Sequence, residues 1–203
     1  MKLLQIDSSV LGAGSASRAL TADIVARHLE LYPGLDLIYR DLAEDAALHL
    51  SPAHMAAFNG QAVSDAQLGA DLSKGGAYMQ ELLDADIIVI GAPMYNFSVP
   101  SQLKAWIDRV VVPGKTFRYG ANGPEGLISS AKQVFIASSR GNVYASGSPN
   151  ASFEHHESYL TLVLRFVGLT NIRVIRAEGL GFGPEAREAA MTKAREQIAA
   201  IAE

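Results

Sequence analysis

The chain has 203 residues, 49% of them hydrophobic, with 17 Lys and Arg against 21 Asp and Glu and no cysteine. That size and apolar content suit one soluble globular domain spanning residues 1–203. A net charge of −4 without a basic run argues against a nucleic-acid partner. The missing cysteine excludes disulfides, iron–sulfur clusters, thiolate zinc sites and cysteine nucleophiles.

The opening Met1-Lys2-Leu3-Leu4-Gln5-Ile6 is too short for a signal-peptide apolar region. No apolar run approaches the ~20 residues of a transmembrane helix, so a cytoplasmic location is expected, with no membrane partner. Residues 3–6 read as a first strand, followed by a small-residue loop over 8–17. The spacing predicts a helix over 18–31 with Leu20, Ile24, Val25 and Leu29 turned inward. Pro33-Gly34 ends it, and residues 35–39 make strand two. Residues 41–75 show no clear period and are expected to be short helices and loops; 75–83 read as the end of a helix.

Residues 87–90, Ile-Ile-Val-Ile, are apolar on both faces, as a buried central parallel strand requires. A helix over 98–111 turns Leu103, Ile107 and Val110 inward, and residues 134–137 are strand four. The helix near 158–168 is apolar on two sides, Leu160, Val163, Leu164 and Val167 on one and Tyr159, Leu162 and Phe166 on the other. One side can pack on a sheet, while the second points to a partner subunit or to full burial. Residues 172–175 are strand five, and the last helix starts near Pro184. Five strands separated by helices give a three-layer α/β/α sandwich, in the flavodoxin-like parallel order 2-1-3-4-5.

In such sheets ligands bind beyond the carboxyl ends of the strands, where the strand order reverses. The loops to inspect are therefore 8–17, 92–98, 138–144 and 178–185. The first offers serines, glycines and Arg18 at a helix start, a pattern suited to a phosphate. A capping Ser17 and turn glycines would leave the same pattern. The second carries Met94, Tyr95, Asn96 and Phe97, side chains that stack on a flat conjugated ring and bond its polar edge, unless they only anchor the loop. The third, Ser138 to Tyr144, is small and polar.

Two look-alikes fail. Gly12-x-Gly14-x-x-Ser17 is one residue short of a dinucleotide fingerprint, and Gly114-Lys115-Thr116 follows a helix with Arg109 where a P-loop needs glycine. Asn150-Ala151-Ser152 is taken as a chance glycosylation triplet. His155-His156 is expected at a solvated helix start, and His49 and His54 on the surface, with no metal-ligand spacing. No Gly-x-Ser-x-Gly elbow supports a hydrolase built on Ser15 or Ser139.

The blocks Ala-Pro-Met-Tyr-Asn-Phe at 92–97, Thr116-Phe117-Arg118-Tyr119, Asn-Gly-Pro-Glu-Gly-Leu at 122–127 and Ser139-Arg140-Gly141 together resemble the FMN-dependent NADH-azoreductase family. Its members are also NAD(P)H:quinone oxidoreductases with a flavodoxin-like fold. The resemblance implies that Ser9, Ser15, Ala16 and Ser17 hold the FMN phosphate. It places Met94, Tyr95, Asn96 and Phe97 along the ribityl chain and ring, and Ser139, Arg140, Gly141 and Asn142 on the ring's other side. Asn142 and Tyr144 stand where the family often has a glycine and a histidine.

The resemblance further implies ping-pong hydride transfer from NADH or NADPH through flavin N5 to quinones or azo compounds, with Asn96 bonded to the reactive edge. The cofactor carries the chemistry. The 112–130 segment would reach over the flavin at the interface of a homodimer, with Phe117, Tyr119 and Tyr144 on the substrate side. The alternative is a non-catalytic FMN-binding electron carrier or redox-responsive partner protein.

Overall fold

β1 (Lys2–Asp7), β3 (Ile87–Pro93) and β6 (Gln133–Ser139) are buried along nearly their whole length and form the middle of a parallel sheet. β2 (Asp36–Asp41) and β7 (Asn171–Ala177) take the edges, where most residues are partly or fully exposed. The computed structural model describes residues 1–202. Its five-stranded sheet has the order β2-β1-β3-β6-β7, every pair parallel. Setting aside the antiparallel hairpin β4 (Phe117–Gly120) and β5 (Gly123–Gly126), this is the predicted 2-1-3-4-5 order.

Side chains alternate across the strands and so feed two cores. On one face α1 (Ala16–Leu31) and α6 (Pro184–Ala199) bring Leu20, Ile24, Met191 and Ile198 onto Leu3, Val89 and Phe135. On the other, α3 (Ala66–Asp84), α4 (Ser101–Val110) and α5 (Glu157–Phe166) bring Leu82, Trp106 and Leu160 onto Leu4, Ile88 and Ile136. Each such buried Leu or Ile contributes about 1.5–3 kcal/mol. That outweighs the ~1 kcal/mol cost of each glycine inside α3, at Gly69, Gly75 and Gly76.

The structure corrects several expectations. Helix α1 starts two residues before the predicted Arg18, because Ser15 Oγ caps it by accepting from the Arg18 amide at 3.3 Å. Leu29, expected inside, is exposed, one step off the inner stripe of Leu20, Ile24, Val25 and His28. Helix α4 starts at Ser101, since Pro100 ends the preceding turn.

The unreadable stretch contains α2 (Pro52–Phe58) and the first part of the long α3. Here His54, expected on the surface, is buried. Its Nε2 lies 3.1 Å from Asp71 Oδ2, which also accepts from Arg109 Nη2 at 2.7 Å. Gly75 makes room for this arginine: a Cβ there would lie 2.8 Å from Arg109 Cδ.

Asp71 therefore locks α2, α3 and α4 together. Burial alone would raise its pKa, but the Leu48 amide, Arg109 and His54 outweigh that and hold it below the usual 3.8. Its stabilisation is thus complete above that value and is lost as pH falls through the lower folded-state pKa. Replacing Asp71 by Ala strands a buried arginine and should cost about 3–5 kcal/mol in urea unfolding near neutral pH. The gap between wild type and Asp71→Asn should narrow as the pH is lowered from about 6 toward about 3.

Candidate active site

The crevice lies at the carboxyl ends of β1 and β3, between which the strand order reverses. After β1 the chain makes a short 3-10 turn over Gly12–Gly14 and enters α1 through Ser15. The first amides of a helix lack intrahelical acceptors. Here Ser15 takes those of Arg18 and Ala19, leaving the Ala16 and Ser17 amides without a partner among the described residues. Ser15 Oγ and Ser17 Oγ lie 3.1 Å apart, both side chains buried. Free amides, hydroxyls and the positive end of α1 make an anion seat.

Arg18, grouped with this loop by sequence, is already committed elsewhere. It holds Asp41 through two 2.6 Å contacts and donates to the Ser9 carbonyl at 2.8 and 3.1 Å. The hydrogen bond to Asp41 raises its pKa, so it is a permanent cation bolting the loop to β2. Two other arginines line the cleft, Arg140 in the third loop and Arg187 on α6, whose Nη2 donates to the Gly14 carbonyl at 3.1 Å. Sequence reading stopped at Glu185, at the start of that helix, and missed it.

After β3 the chain turns through Tyr95, Asn96, Phe97 and Ser98. Tyr95 and Ser98 exchange backbone hydrogen bonds at 3.0 and 3.1 Å. Asn96 and Phe97 sit at φ 47° and 72°, in the left-handed region. Two positive-φ residues inside such a bonded loop describe a type I′ turn, which asparagine tolerates and phenylalanine resists. This strain lies beside the crevice, where strain is most often functional. The Tyr95 hydroxyl lies 3.2 Å from Ser9 Oγ and accepts from the Val10 amide at 3.2 Å, joining the first two loops. The Met94 amide donates to the Ser139 carbonyl at 2.8 Å, joining the second to the third.

The third loop is laced to the segment after β7. Leu180 and Gly181 donate to the carbonyls of Arg140 and Gly141 at 3.1 and 2.8 Å. Gly181 must be small, because a Cβ there would meet the Gly141 oxygen at 3.0 Å.

These loops enclose a cleft of about 220 Å³. Ser9, Ser15 and Ala16 line one end, Met94 and Tyr95 one side, and Ser139, Arg140 and Gly141 the other. Ser17 sits just beneath, while Asn96, Phe97 and Asn142 flank the cleft without lining it. Phe97 rests on Tyr144 with ring centroids 6.3 Å apart and on Phe153 at 5.4 Å. Phe153 was not singled out by sequence, having no motif around it. The structure does not bring Phe117 or Tyr119 into this cleft. Phe117 is buried against Phe166, anchoring the hairpin, and Tyr119 stands 78% exposed on it. Among the described residues, neither Ser15 nor Ser139 has a histidine hydrogen bond, and no group of three His, Asp or Glu could hold a metal.

Residues 1–202 match a protein family described as having a flavodoxin-like fold. The chain is 53% identical over 194 residues to FMN-dependent NADH:quinone oxidoreductase 2 of Bradyrhizobium diazoefficiens, covering 96% of this chain and 95% of that one. It is 52% identical over 202 residues to an FMN-dependent NADH:quinone oxidoreductase of Xanthomonas campestris, covering 99% of each. Among solved structures, an azoreductase from Bacillus anthracis matches with a TM-score of 0.87 at 27% identity, over 98% of this chain and 97% of that one.

The left-handed turn yields its own expectation. Asn96→Ala should destabilise the protein by about 1 kcal/mol, because alanine resists positive φ, whereas Asn96→Gly should not. Urea titrations of the two variants measure this directly.

Proposed function

The chain belongs to the family with the flavodoxin-like fold, and we propose that it is an FMN-dependent NAD(P)H:quinone oxidoreductase and azoreductase. One observation carries this: the free amides at the start of α1 and the stacking residues after β3 open into one cleft, as a phosphate joined to a flat ring requires. The relatives' names point the same way.

The residues present fit FMN. Ser9, Ser15, Ala16 and Ser17 would hold its phosphate, with Arg187 adding charge at the open side. Met94, Tyr95, Asn96 and Phe97 would lie along one side of ribityl chain and ring, and Ser139, Arg140, Gly141 and Asn142 along the other. Among the described residues the Gly141 and Asn142 amides have no partner, so the asparagine costs the site no donor. FMN, when bound, would supply two-electron hydride chemistry at N5 between NADH or NADPH and an acceptor, the two using the site in turn in a ping-pong sequence. The protein's part is to bind, orient and exclude water. Asn96, fixed by its turn, is the residue assigned to hydrogen-bond the reactive edge, and it moves no proton itself.

Quinones and azo compounds are the acceptors in this proposal, seated beside the aromatic corner of Phe97, Tyr144 and Phe153. Residues 1–203 act as one FMN-binding domain, and two copies pair. Support for pairing comes from Leu162 on α5, 66% exposed, and from the hairpin carrying Tyr119 into solvent. In the dimer the hairpin covers the partner's cleft. Phe117 then serves as its anchor and Tyr119 as its substrate-facing residue. The cytoplasm, where NAD(P)H is supplied, is the proposed location.

Purified protein should take up FMN, lose the flavin's visible absorbance on addition of NADH and regain it with benzoquinone. No binding in excess FMN would overturn the proposal, and bound flavin that NADH cannot bleach would leave only an electron carrier. Asn96→Gly, which keeps the turn but removes the amide, should slow flavin reduction at least about tenfold in stopped flow while changing FMN affinity far less. Arg187→Ala should weaken FMN by roughly fivefold, about 1 kcal/mol, with the difference fading at high salt.

A further inference from the structure

Behind the third loop lies a buried charge cluster that the proposed reaction has not used. Glu157, in the first turn of α5, is an ion-pair partner of both Arg140 and Arg176. It accepts from Arg176 Nε at 2.9 Å and, at closer range, from one guanidinium nitrogen of Arg140. The Arg140 side chain is only 1% exposed, and its Nε and Nη1 have no partner among the described residues. His156 adjoins the cluster and is fully buried. His155 beside it is exposed; His156 does stand at the start of α5, as expected, but buried. Burial pushes its pKa down to about 4, so it is neutral near pH 7 and adds no charge. Burial alone would raise Glu157, but Arg176 and Arg140 hold it down to about 2, so it is ionised. Two further acids lie nearby: Glu154 accepts from the amides of His156, Glu157 and Ser158 and caps α5, and Glu178, which accepts from the Tyr144 amide, acts on Arg176.

Arg140 belongs to the wall of the cleft assigned to the ring. A buried cation with idle donors acts on anything beside it through a low dielectric, where charge is felt strongly. Hydride transfer brings two electrons and one proton into the cleft while NAD(P)⁺ leaves, so the cleft gains one negative charge. A neighbouring cation favours that gain and a neighbouring anion opposes it.

We propose that Glu157 and Arg176 are positioning residues that set the electron affinity of the flavin through Arg140. Glu157 fixes the guanidinium against the cleft wall and cancels part of its charge; Arg176 in turn cancels part of the charge on Glu157. This rests on FMN occupying the cleft as proposed above. The two residues therefore act with opposite sign, which a merely structural role would not produce.

The test is the flavin midpoint potential of FMN-loaded wild type, Glu157→Gln and Arg176→Gln, each equilibrated with a reference dye during slow reduction. Glu157→Gln should shift the reduction equilibrium toward reduced flavin about tenfold, about 30 mV for a two-electron couple. Arg176→Gln should shift it the other way by a smaller factor, roughly threefold. Arg176 is 39% exposed, so its variant should fold even if the glutamine at 157 does not, and its sign alone tests the idea. Shifts of the same sign, or an unshifted Arg176→Gln, overturn the proposal while FMN binding stands. Wild type that takes up no FMN overturns both this proposal and the functional one beneath it.

Discussion

The structure depends on one topological constraint, the reversal of strand order between β1 and β3. From β1 the chain crosses to β2 over one face of the sheet through α1, and from β3 it crosses to β6 over the other through α4. The two loops at adjacent strand ends therefore leave in opposite directions, and a crevice opens between them. Nothing in the crevice has to be carved out of a packed core. The buried strands β1, β3 and β6 supply a rigid floor, and the loops need only small residues and the right turns.

A crevice between loops is useful only if the loops are held, and hydrogen bonds at the strand ends hold them. Ser8 Oγ donates to the Gly91 carbonyl at 2.7 Å, tying the last turns of β1 and β3. Arg18 clamps the Ser9 carbonyl to Asp41 on β2, and the Tyr95 hydroxyl reaches back to the same loop. A charged side chain that looks like a ligand group thus serves as a bolt, and a ring that looks like a stacking surface also ties two loops through its hydroxyl. This restraint keeps the free amides of Ala16 and Ser17 in place before any anion arrives, so binding loses little ordering entropy.

The sheet was legible because its signals are local. Runs such as Ile87-Ile88-Val89-Ile90 declare a strand buried on both faces, and Pro33-Gly34 declares a stop. Helix α3 was half hidden because Gly69, Gly75 and Gly76 lower its helical character, and the reason for Gly75 lies on another helix, in the passage of Arg109 over it. His54 and His156 went astray the same way. Their burial is decided by Asp71, seventeen residues beyond His54, and by packing around Arg140, and neighbouring sequence is silent about both. The loop residues 9, 15–17, 94–97 and 139–142 could be named from motifs. What the motifs could not tell was which groups are free to bind: Arg18 is spent, Arg187 keeps donors beyond its one bond to the Gly14 carbonyl, and Phe117 is an anchor.

The central claim is that the start of α1 is a phosphate seat joined to a ring site. Comparing FMN with riboflavin, which lacks the phosphate, in equilibrium titrations of flavin fluorescence tests it most directly. Two amides and buried hydroxyls facing a dianion predict that FMN binds at least about a hundredfold tighter, about 2.7 kcal/mol. Equal affinity for the two flavins would contradict the account.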